Sequence, residues 1–337
     1  MEADLRREFT WRDGERTIVF GRGALERAAR LLGEQGWDRV ELLGSKRALA
    51  TAPSSLLDLA GGTHDVRAGP VNQVAAELVD RVAGQRLLAL GGGRVIDVAK
   101  AIGAVRGARV AAAPTTLSGA PMTPFHRLPA GRQAPRLVRP ELVLADPDAM
   151  ASQPEQAMRA SAMNALAHGS ESLYTPLANP VATMAALRGV SLIAQSLDQR
   201  PAERDRAALA LGALLCGYAI GSTLFALHHV VSQSLVRVLG TPHAETNAAM
   251  LPRTMEAMRD RAPDPIGALA TALGCDAAAI GARIEELGGG RRRLGDLGAD
   301  RERLDEALDA IMARGELGMT PQPPNRDEVR DLIESAW

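Results

Sequence analysis

Four of the chain's six histidines fall between positions 168 and 243. Asn164 and His168 stand four residues apart in a segment of helical pattern, so they share one face, with Glu171 one turn further on the same side. His228 and His229 lie in the middle of the next long helical stretch. His243 follows in L-G-T-P-H-A-E-T, a turn that enters another helix. Histidines separated by whole helical turns can converge on one point and build either a metal site or an acid–base site. The spacing leaves both open.

A second concentration of chemistry lies upstream, in L-L-A-L-G-G-G-R-V-I-D-V-A-K-A-I-G, residues 87–103. An apolar run passes straight into Gly91-Gly92-Gly93, and a helical pattern begins at once. Glycines there let the backbone approach a ligand closely, and the free N–H groups of a first helical turn favour an anion such as a dinucleotide pyrophosphate. The spacing is neither G-x-G-x-x-G nor that of a P-loop, which would carry Lys-Ser/Thr. One unit later, Ala113-Pro114-Thr115-Thr116-Leu117-Ser118-Gly119 sets hydroxyls and a glycine past a strand end, suited to ribose or phosphate at the mouth of a parallel sheet.

The elements that must position these residues are of two kinds. Strands are expected at Thr17–Phe20, Val40–Leu43, Leu87–Leu90, Val110–Ala113 and Leu142–Ala145, with helical patterns between them. Val71, Val74, Ala75, Leu78 and Val82, for example, trace one buried helix face. Strands alternating with helices mean βαβ units and a mostly parallel sheet. After about Asp148 the strand-like runs stop. Helices are expected over Pro154–Tyr174, Val181–Leu197 and Arg204–Val238, the last broken at Gly221-Ser222, and Asn325 with Glu328 forms a capping-box signature after Pro323-Pro324. The reading is an α/β dinucleotide-binding domain over residues 1–150 and an all-helical catalytic domain over 151–337, with the active site in the cleft between them.

Composition narrows the partners. Thirty-nine basic against 40 acidic side chains leave a net charge of −1, which argues against a nucleic-acid or anionic-membrane surface. No apolar run reaches the roughly 18 residues of a membrane span, and the charged opening M-E-A-D-L-R-R-E-F-T-W-R lacks a signal-peptide core. Two cysteines, Cys216 and Cys275, offer neither zinc spacing nor a disulfide framework. A cytoplasmic, soluble enzyme acting on a small molecule is the expectation. Only two of the basic residues are lysines, Lys46 and Lys100, which marks both for a task that arginine does not do.

The G-G-G-x-x-x-D-x-A-K loop, the P-T-T-x-x-G loop, N-A-L-A-H, the H-H pair and P-H-A-E-T together resemble the iron-containing alcohol dehydrogenase superfamily, and within it the maleylacetate reductases of aromatic-compound catabolism. The resemblance runs from Val19-Phe20-Gly21-Arg22-Gly23 to the final R-D-E-V-R-D-L-I-E-S-A-W. It implies the dehydroquinate synthase-like fold, a homodimer, and a nicotinamide dinucleotide, NADH or NADPH. Gly91, Gly92 and Gly93 would hold the pyrophosphate, Thr115, Thr116 and Ser118 would line the cofactor, and Arg94, Asp97 and Lys100 would belong to the same loop and helix. The Asp and three His that bind metal in metal-dependent relatives fall on Asn164, His168, His229 and His243. Asn164 removes the one anionic ligand, a feature shared with maleylacetate reductases, so no tightly bound metal is expected. Gln233 stands where relatives often carry a further histidine near the nicotinamide, Pro121 replaces a common Glu, and Arg94 a common Ser.

Three functions follow. The first is an NAD(P)H-dependent reductase of maleylacetate or a similar unsaturated oxo-dicarboxylate, with His168, His229, His243 and Asn164 as reaction centre. The second is a metal-dependent alcohol dehydrogenase, and the third a repurposed member catalysing a non-redox cyclase- or lyase-type step. Gly44-Ser45-Lys46-Arg47 offers cations where an acidic residue would repel a 2′-phosphate, so NADPH should be accepted at least as well as NADH. A dicarboxylate needs cations. His126 and Arg127, with Gln233, are the candidate substrate contacts, and Arg159 and Arg253 are further arginines near the motifs.

Overall fold

Short leucine- and valine-rich runs separated by helical segments can bury both faces only as a sheet covered by helices, and the first half of the chain builds one. In a computed structural model, residues 8–134 and 137–337 are described, apart from the side chains of Phe9 and Trp11. The charged opening segment 1–7 lies outside the described residues. The chain divides between Gln153 and Pro154 into two compact units.

In the first unit the strands are β1 (Phe9–Asp13), β2 (Arg16–Phe20), β3 (Val40–Gly44), β4 (Ala60–Asp65), β5 (Arg86–Gly91), β6 (Arg109–Pro114) and β7 (Leu142–Ala145). They form one sheet in the order β1-β2-β7-β6-β5-β3-β4. Every pairing is parallel except the β1–β2 hairpin. The helices are α1 (Ala28–Glu34), α2 (Lys46–Ala50), α3 (Ser54–Leu59), α4 (Val71–Leu78), α5 (Gly93–Arg106) and α6 (Pro147–Met150). Strand alternation assigns the two cores. Leu87 and Ala89 of β5 pack with Val74 and Leu78 of α4 and Ile96 of α5, while Leu88 and Leu90 pack with Leu32, Trp37 and Leu56 on the other face.

Each of the five expected strands is present, but the sequence missed β1 and β4. Both are edge strands that need hydrogen bonds from one neighbour only, so neither has to show a buried apolar pattern. β4 reads Ala-Gly-Gly-Thr-His-Asp.

The second unit is helical: α7 (Glu155–Ser172), α8 (Pro180–Asp198), α9 (Arg206–Thr223), α10 (Leu227–Leu239) and α11 (His243–Met258) precede α12 (Pro263–Leu273), α13 (Ile280–Leu287), α14 (Leu304–Met312) and α15 (Arg326–Glu334). Asn325 caps α15 in a full capping box with Glu328. Two expectations are corrected here. The expected break at Gly221-Ser222 falls instead at Leu224–Ala226, and Gly221 and Ser222 stay helical. Leu224 takes a left-handed φ of 58°, an uncommon conformation for a side-chain-bearing residue. In addition, α9 is long and apolar enough to be weighed as a membrane span, at mean hydropathy 1.3, yet 67% of it is buried. It packs against α7 and α8 as the core helix of this unit.

Close approach of these three helices depends on glycine. A Cβ on Gly189 of α8 would lie 2.8 Å from the carbonyl oxygen of Gly212 on α9 and 2.7 Å from Cys216 Sγ. A Cβ on Gly212 would reciprocally meet the Gly189 carbonyl at 2.7 Å. Backbone oxygens cannot rotate away. Gly189→Ala should therefore lose about 1–3 kcal/mol to overpacking despite its better helix propensity. Gly267→Ala on α12, where a Cβ meets nothing within 4 Å, should gain up to ~1 kcal/mol. Urea-unfolding midpoints of the two variants should move in opposite directions.

Candidate active site

The glycine turn is built by β5 running into α5. Gly92 is the N-cap of α5 in extended conformation, and it accepts the first helical bonds from Val95 N (3.0 Å) and Ile96 N (3.2 Å). No acidic side chain stands in this first turn, so its dipole and leading amides are open to an anion. The glycines have a packing reason as well. A Cβ on Gly92 would lie 2.9 Å from Thr116 Cγ2, and one on Gly93 would lie 2.5 Å from Ser118 Oγ. The second loop thus sits directly on the first. Thr116 Oγ1 accepts from Ser118 N (3.4 Å) and Ser118 Oγ accepts from Ala120 N (3.2 Å), which leaves both hydroxyl hydrogens to donate outward. Thr115 N closes the pair on the Gly91 carbonyl at 3.0 Å. Arg94 is exposed beside the turn. Lys46 is exposed after β3, behind Ser45, whose hydroxyl caps α2.

Lys100 is corrected from a cofactor contact to an internal tether. It is fully buried, and its ammonium is held by Asp97 Oδ1 at 2.7 Å and by the carbonyls of Ala120, Thr123 and Phe125 at 3.1, 3.1 and 2.7 Å. Three N–H hydrogens among four acceptors leave nothing for a ligand. Burial pushes its pKa down and Asp97 opposes that shift. Arg16 pins the same connection from β2, donating to the carbonyls of Pro121 (3.3 Å) and Pro140 (3.1 Å). His126 is committed through one ring nitrogen, its buried Nδ1 having no hydrogen-bond partner among the described residues. Its Nε2 accepts from Val138 N at 3.1 Å, and burial holds it neutral with a pKa of about 4. Arg127 beside it is exposed.

In the second unit the histidines do gather. The rings of His168 on α7 and His229 on α10 stack at 4.8 Å, and His228 meets His229 edge-on at 5.1 Å. Their hydrogen bonds separate structural from reactive members. Asn247 donates through Nδ2 to the His243 carbonyl at 2.7 Å, which turns its Oδ1 toward His228 Nε2 at 2.9 Å. His228 therefore carries its proton on Nε2, and its Nδ1 lies 3.0 Å from Thr254 Oγ1, whose hydroxyl also reaches the carbonyls of Met250 and Leu251. It is spent on the core. His243, exposed at the start of α11, joins this network through Asn247.

His229 is different. Its Nδ1 binds Glu171 Oε2, while its Nε2 is buried without a hydrogen-bond partner, as is Asn164 Oδ1 one turn before His168. Glu171 is fully buried and gathers five donors: the amides of Ala226 (3.1 Å), His228 (2.7 Å) and His229 (3.4 Å), Tyr174 Oη (3.2 Å) and His229 Nδ1. Burial pushes the Glu171 pKa up, and the amides pull it back. Five donors decide for the carboxylate, with the shared proton on His229 Nδ1. Burial pushes His228 and His229 down to about 3 and His168 well below its ordinary value; neighbouring charges depress His168 and His229 further, while Glu171 and Asn247 partly oppose the shift of His228. The imidazoles are neutral at pH 7.

Sequence reasoning placed Glu171 on the right face and gave it no role, although a carboxylate three residues after a helical histidine was the available signal. It missed Arg314 entirely. Arg314 donates to Gln233 Oε1 at 2.9 Å, one turn beyond His229 on α10. The arginines it did single out are occupied elsewhere in this unit: Arg159 binds Glu155 and the Leu287 carbonyl, and Arg253 binds Glu285 and Glu256.

The metal that the resemblance implies does not fit these residues. Asn164 leaves His168, His229 and His243 without an anionic ligand beside them, and no group of three His, Cys, Asp or Glu among the described residues is arranged to hold an ion. The His168 and His229 rings lie face to face, 11° from parallel.

Residues 15–147 match the iron-containing alcohol dehydrogenase family, and residues 158–337 match the Fe-containing alcohol dehydrogenase family, C-terminal. The chain is 31% identical to maleylacetate reductase 1 of Rhodococcus opacus, over 99% of this chain and 98% of that one. It is also 31% identical to maleylacetate reductase of Burkholderia cepacia, over 95% of each. The crystal structure of maleylacetate reductase from Agrobacterium tumefaciens superposes with a TM-score of 0.84 at 28% identity, covering 99% of both chains.

The Lys100 tether makes a direct prediction. Lys100→Met leaves Asp97 and three carbonyls buried without their cation, at a cost of about 3–5 kcal/mol. Trypsin should then cut faster after exposed Arg127, in the connection that Lys100 holds. Unchanged cleavage together with an unchanged unfolding midpoint would show that the carbonyls find other donors.

Proposed function

The chain belongs to the iron-containing alcohol dehydrogenase family, and we propose that within it this protein is an NAD(P)H-dependent reductase of maleylacetate or a similar unsaturated oxo-dicarboxylate. Its class, an NAD(P)-dependent oxidoreductase, follows from the family and from near full-length similarity to maleylacetate reductases. The observation that carries the finer reading is His229: one ring nitrogen fixed by Glu171, the other buried and unpartnered beside the likewise unpartnered Asn164 oxygen.

The glycine turn fits a dinucleotide pyrophosphate. The leading amides of α5 and the outward hydroxyls of Thr116 and Ser118 would take the phosphate oxygens, with Arg94 balancing their charge. Lys46 would meet the adenosine end. When bound, the dihydronicotinamide supplies a hydride to the electron-poor alkene carbon.

Negative charge then develops on the conjugated oxygen of the substrate, and the protein must answer it with N–H donors. His168, held neutral by burial, can donate one, and His243 can offer another. His229 can do more. Its proton affinity is depressed by burial and by neighbouring positive charge, and a dianionic substrate reverses that field. His229 then takes a proton from solvent on Nε2, while Glu171 stabilises the imidazolium through Nδ1 and keeps the ring aimed. The proton passes to the reduced carbon skeleton and His229 returns to neutral. Asn164 supplies polar reach without charge. No step uses a metal.

Titration of the purified protein with NADPH and NADH, followed by maleylacetate, tests the reading. Turnover is expected with NADPH at least as well as with NADH. Activity should survive chelators, and His229→Ala should lower kcat ~10²–10⁴-fold, the range for a positioned acid–base group. One equivalent of native metal whose removal abolishes activity would restore the metal-dependent alcohol dehydrogenase reading. Nucleotide binding without turnover of any enone or carbonyl compound would favour the non-redox one.

A further inference from the structure

We propose that Arg314 recognises the substrate carboxylate remote from the reacting carbon, which makes it the residue that selects a dicarboxylate. The inference rests on the reductase reading and deepens it. Arg314 precedes a short 3₁₀ turn (Gly315–Met319), and its side chain is 16% exposed, buried enough to be directed and open enough to reach a ligand.

Three contacts fix its plane. Nη1 donates to Gln233 Oε1 at 2.9 Å, and Glu316 takes the Nη2 and Nε side of the fork at 2.9 and 3.4 Å. The guanidinium carbon lies 5.5 Å from the centroid of the Phe225 ring. These bonds use three of its five N–H groups, leaving one each on Nη1 and Nη2. Two parallel N–H bonds are the geometry that pairs with a carboxylate.

Its place relative to the reaction centre is set through shared neighbours. Gln233 sits one turn beyond His229 on α10, and the Phe225 ring that carries the guanidinium also lies 5.8 Å from the His229 ring. A cation is thus held on the histidine face of α10 by an amide, a carboxylate and an aromatic surface. Gln233 is the residue that allows this. An amide oxygen accepts from arginine, whereas a protonated histidine at that position would repel it. Glu316 is 44% exposed, so water screens its charge and Arg314 keeps attraction for an anion arriving on the other edge.

The test separates carboxylate recognition from turnover. Calorimetry would measure adipate, an unreactive six-carbon dicarboxylate, and hexanoate, its monocarboxylate counterpart, against wild type, Arg314→Met and Arg314→Lys. Adipate should bind Arg314→Met ~30–300-fold more weakly, the loss expected for a charge-assisted pair, and hexanoate equally to all three. Arg314→Lys, which keeps charge but not the fork, should fall between for adipate and remain folded if the Met variant is not. With maleylacetate the variants should raise KM and change kcat less than ~5-fold, because the contact persists from bound substrate to transition state. Equal adipate affinity in all three proteins, with wild-type turnover intact, overturns the role of Arg314 and leaves the reductase reading standing. Wild type that neither turns over maleylacetate nor binds adipate overturns both.

Discussion

One buried carboxylate organises the helical unit of this protein. Glu171 projects from α7 into the start of α10, where the amides of Ala226, His228 and His229 converge on it. A helix N-terminus has orphan donors and a positive dipole end, and a fully buried carboxylate needs both. Each therefore solves the other's desolvation problem. The break after α9 follows from the same bonds. The chain stops being helical at Leu224–Ala226 because those amides point to Glu171, and Thr175 Oγ1 secures the turn by donating to the Thr223 carbonyl at 2.8 Å. The left-handed Leu224 is tolerated because its surroundings hold it from both sides. His229 inherits its orientation from the arrangement.

Lys100 has an equivalent place in the α/β unit. Connections as long as that between β6 and β7 are ordinarily the least constrained part of an α/β unit. Here a buried ammonium from α5 collects three of its carbonyls, and Arg16 collects two more. The helix that follows the glycine turn thereby also fixes the loop that packs on that turn. An ammonium can accept this three-fold set of carbonyls at one point, whereas a planar guanidinium would spread its donors across a wider arc. That is a physical reason for lysine to survive in a chain where nearly every other cation is arginine.

What was legible in the sequence was what is adjacent in the sequence. β5, the glycines and α5 are consecutive, so an apolar run, a turn and a helical pattern spelled out the phosphate turn. The last helix declared its own cap. The edge strands β1 and β4 were invisible because each is held by hydrogen bonds to a single neighbour, and β4 buries none of its side chains fully. The break between α9 and α10 was placed at the residues with weak helix propensity, Gly221 and Ser222, when the decisive interaction comes from a carboxylate 55 residues away from Ala226. Arg314 stayed hidden for the same reason: it stands 81 residues from Gln233, and 37 arginines gave no ranking among themselves. Lys100 was noticed by its rarity, but a motif position cannot tell a ligand contact from an internal tether.

The identity of residue 164 becomes intelligible once Glu171 is ionised. The two positions lie two turns apart on α7, about 10 Å along its axis. A carboxylate at 164 would add a second buried negative charge to the face that carries Glu171, and unless a cation balanced it one of the two acids would take up a proton. An amide keeps a hydrogen-bonding group at that point without the charge. The site then contains one anion, Glu171, already satisfied by the helix terminus, and imidazoles that burial keeps neutral. On the proposed reading the fixed charges that act on His229 are Glu171, already satisfied by the helix terminus, and Arg314, whose field lowers the proton affinity of the ring. A dianion would offset that field, raise the proton affinity of His229 and be drawn toward Arg314, the partly exposed cation held beside Phe225 and Gln233. A neutral carbonyl compound would do neither. Discrimination between the two would thus come from one arginine acting twice, as the cation a carboxylate seeks and as the charge that must be offset before His229 takes up a proton.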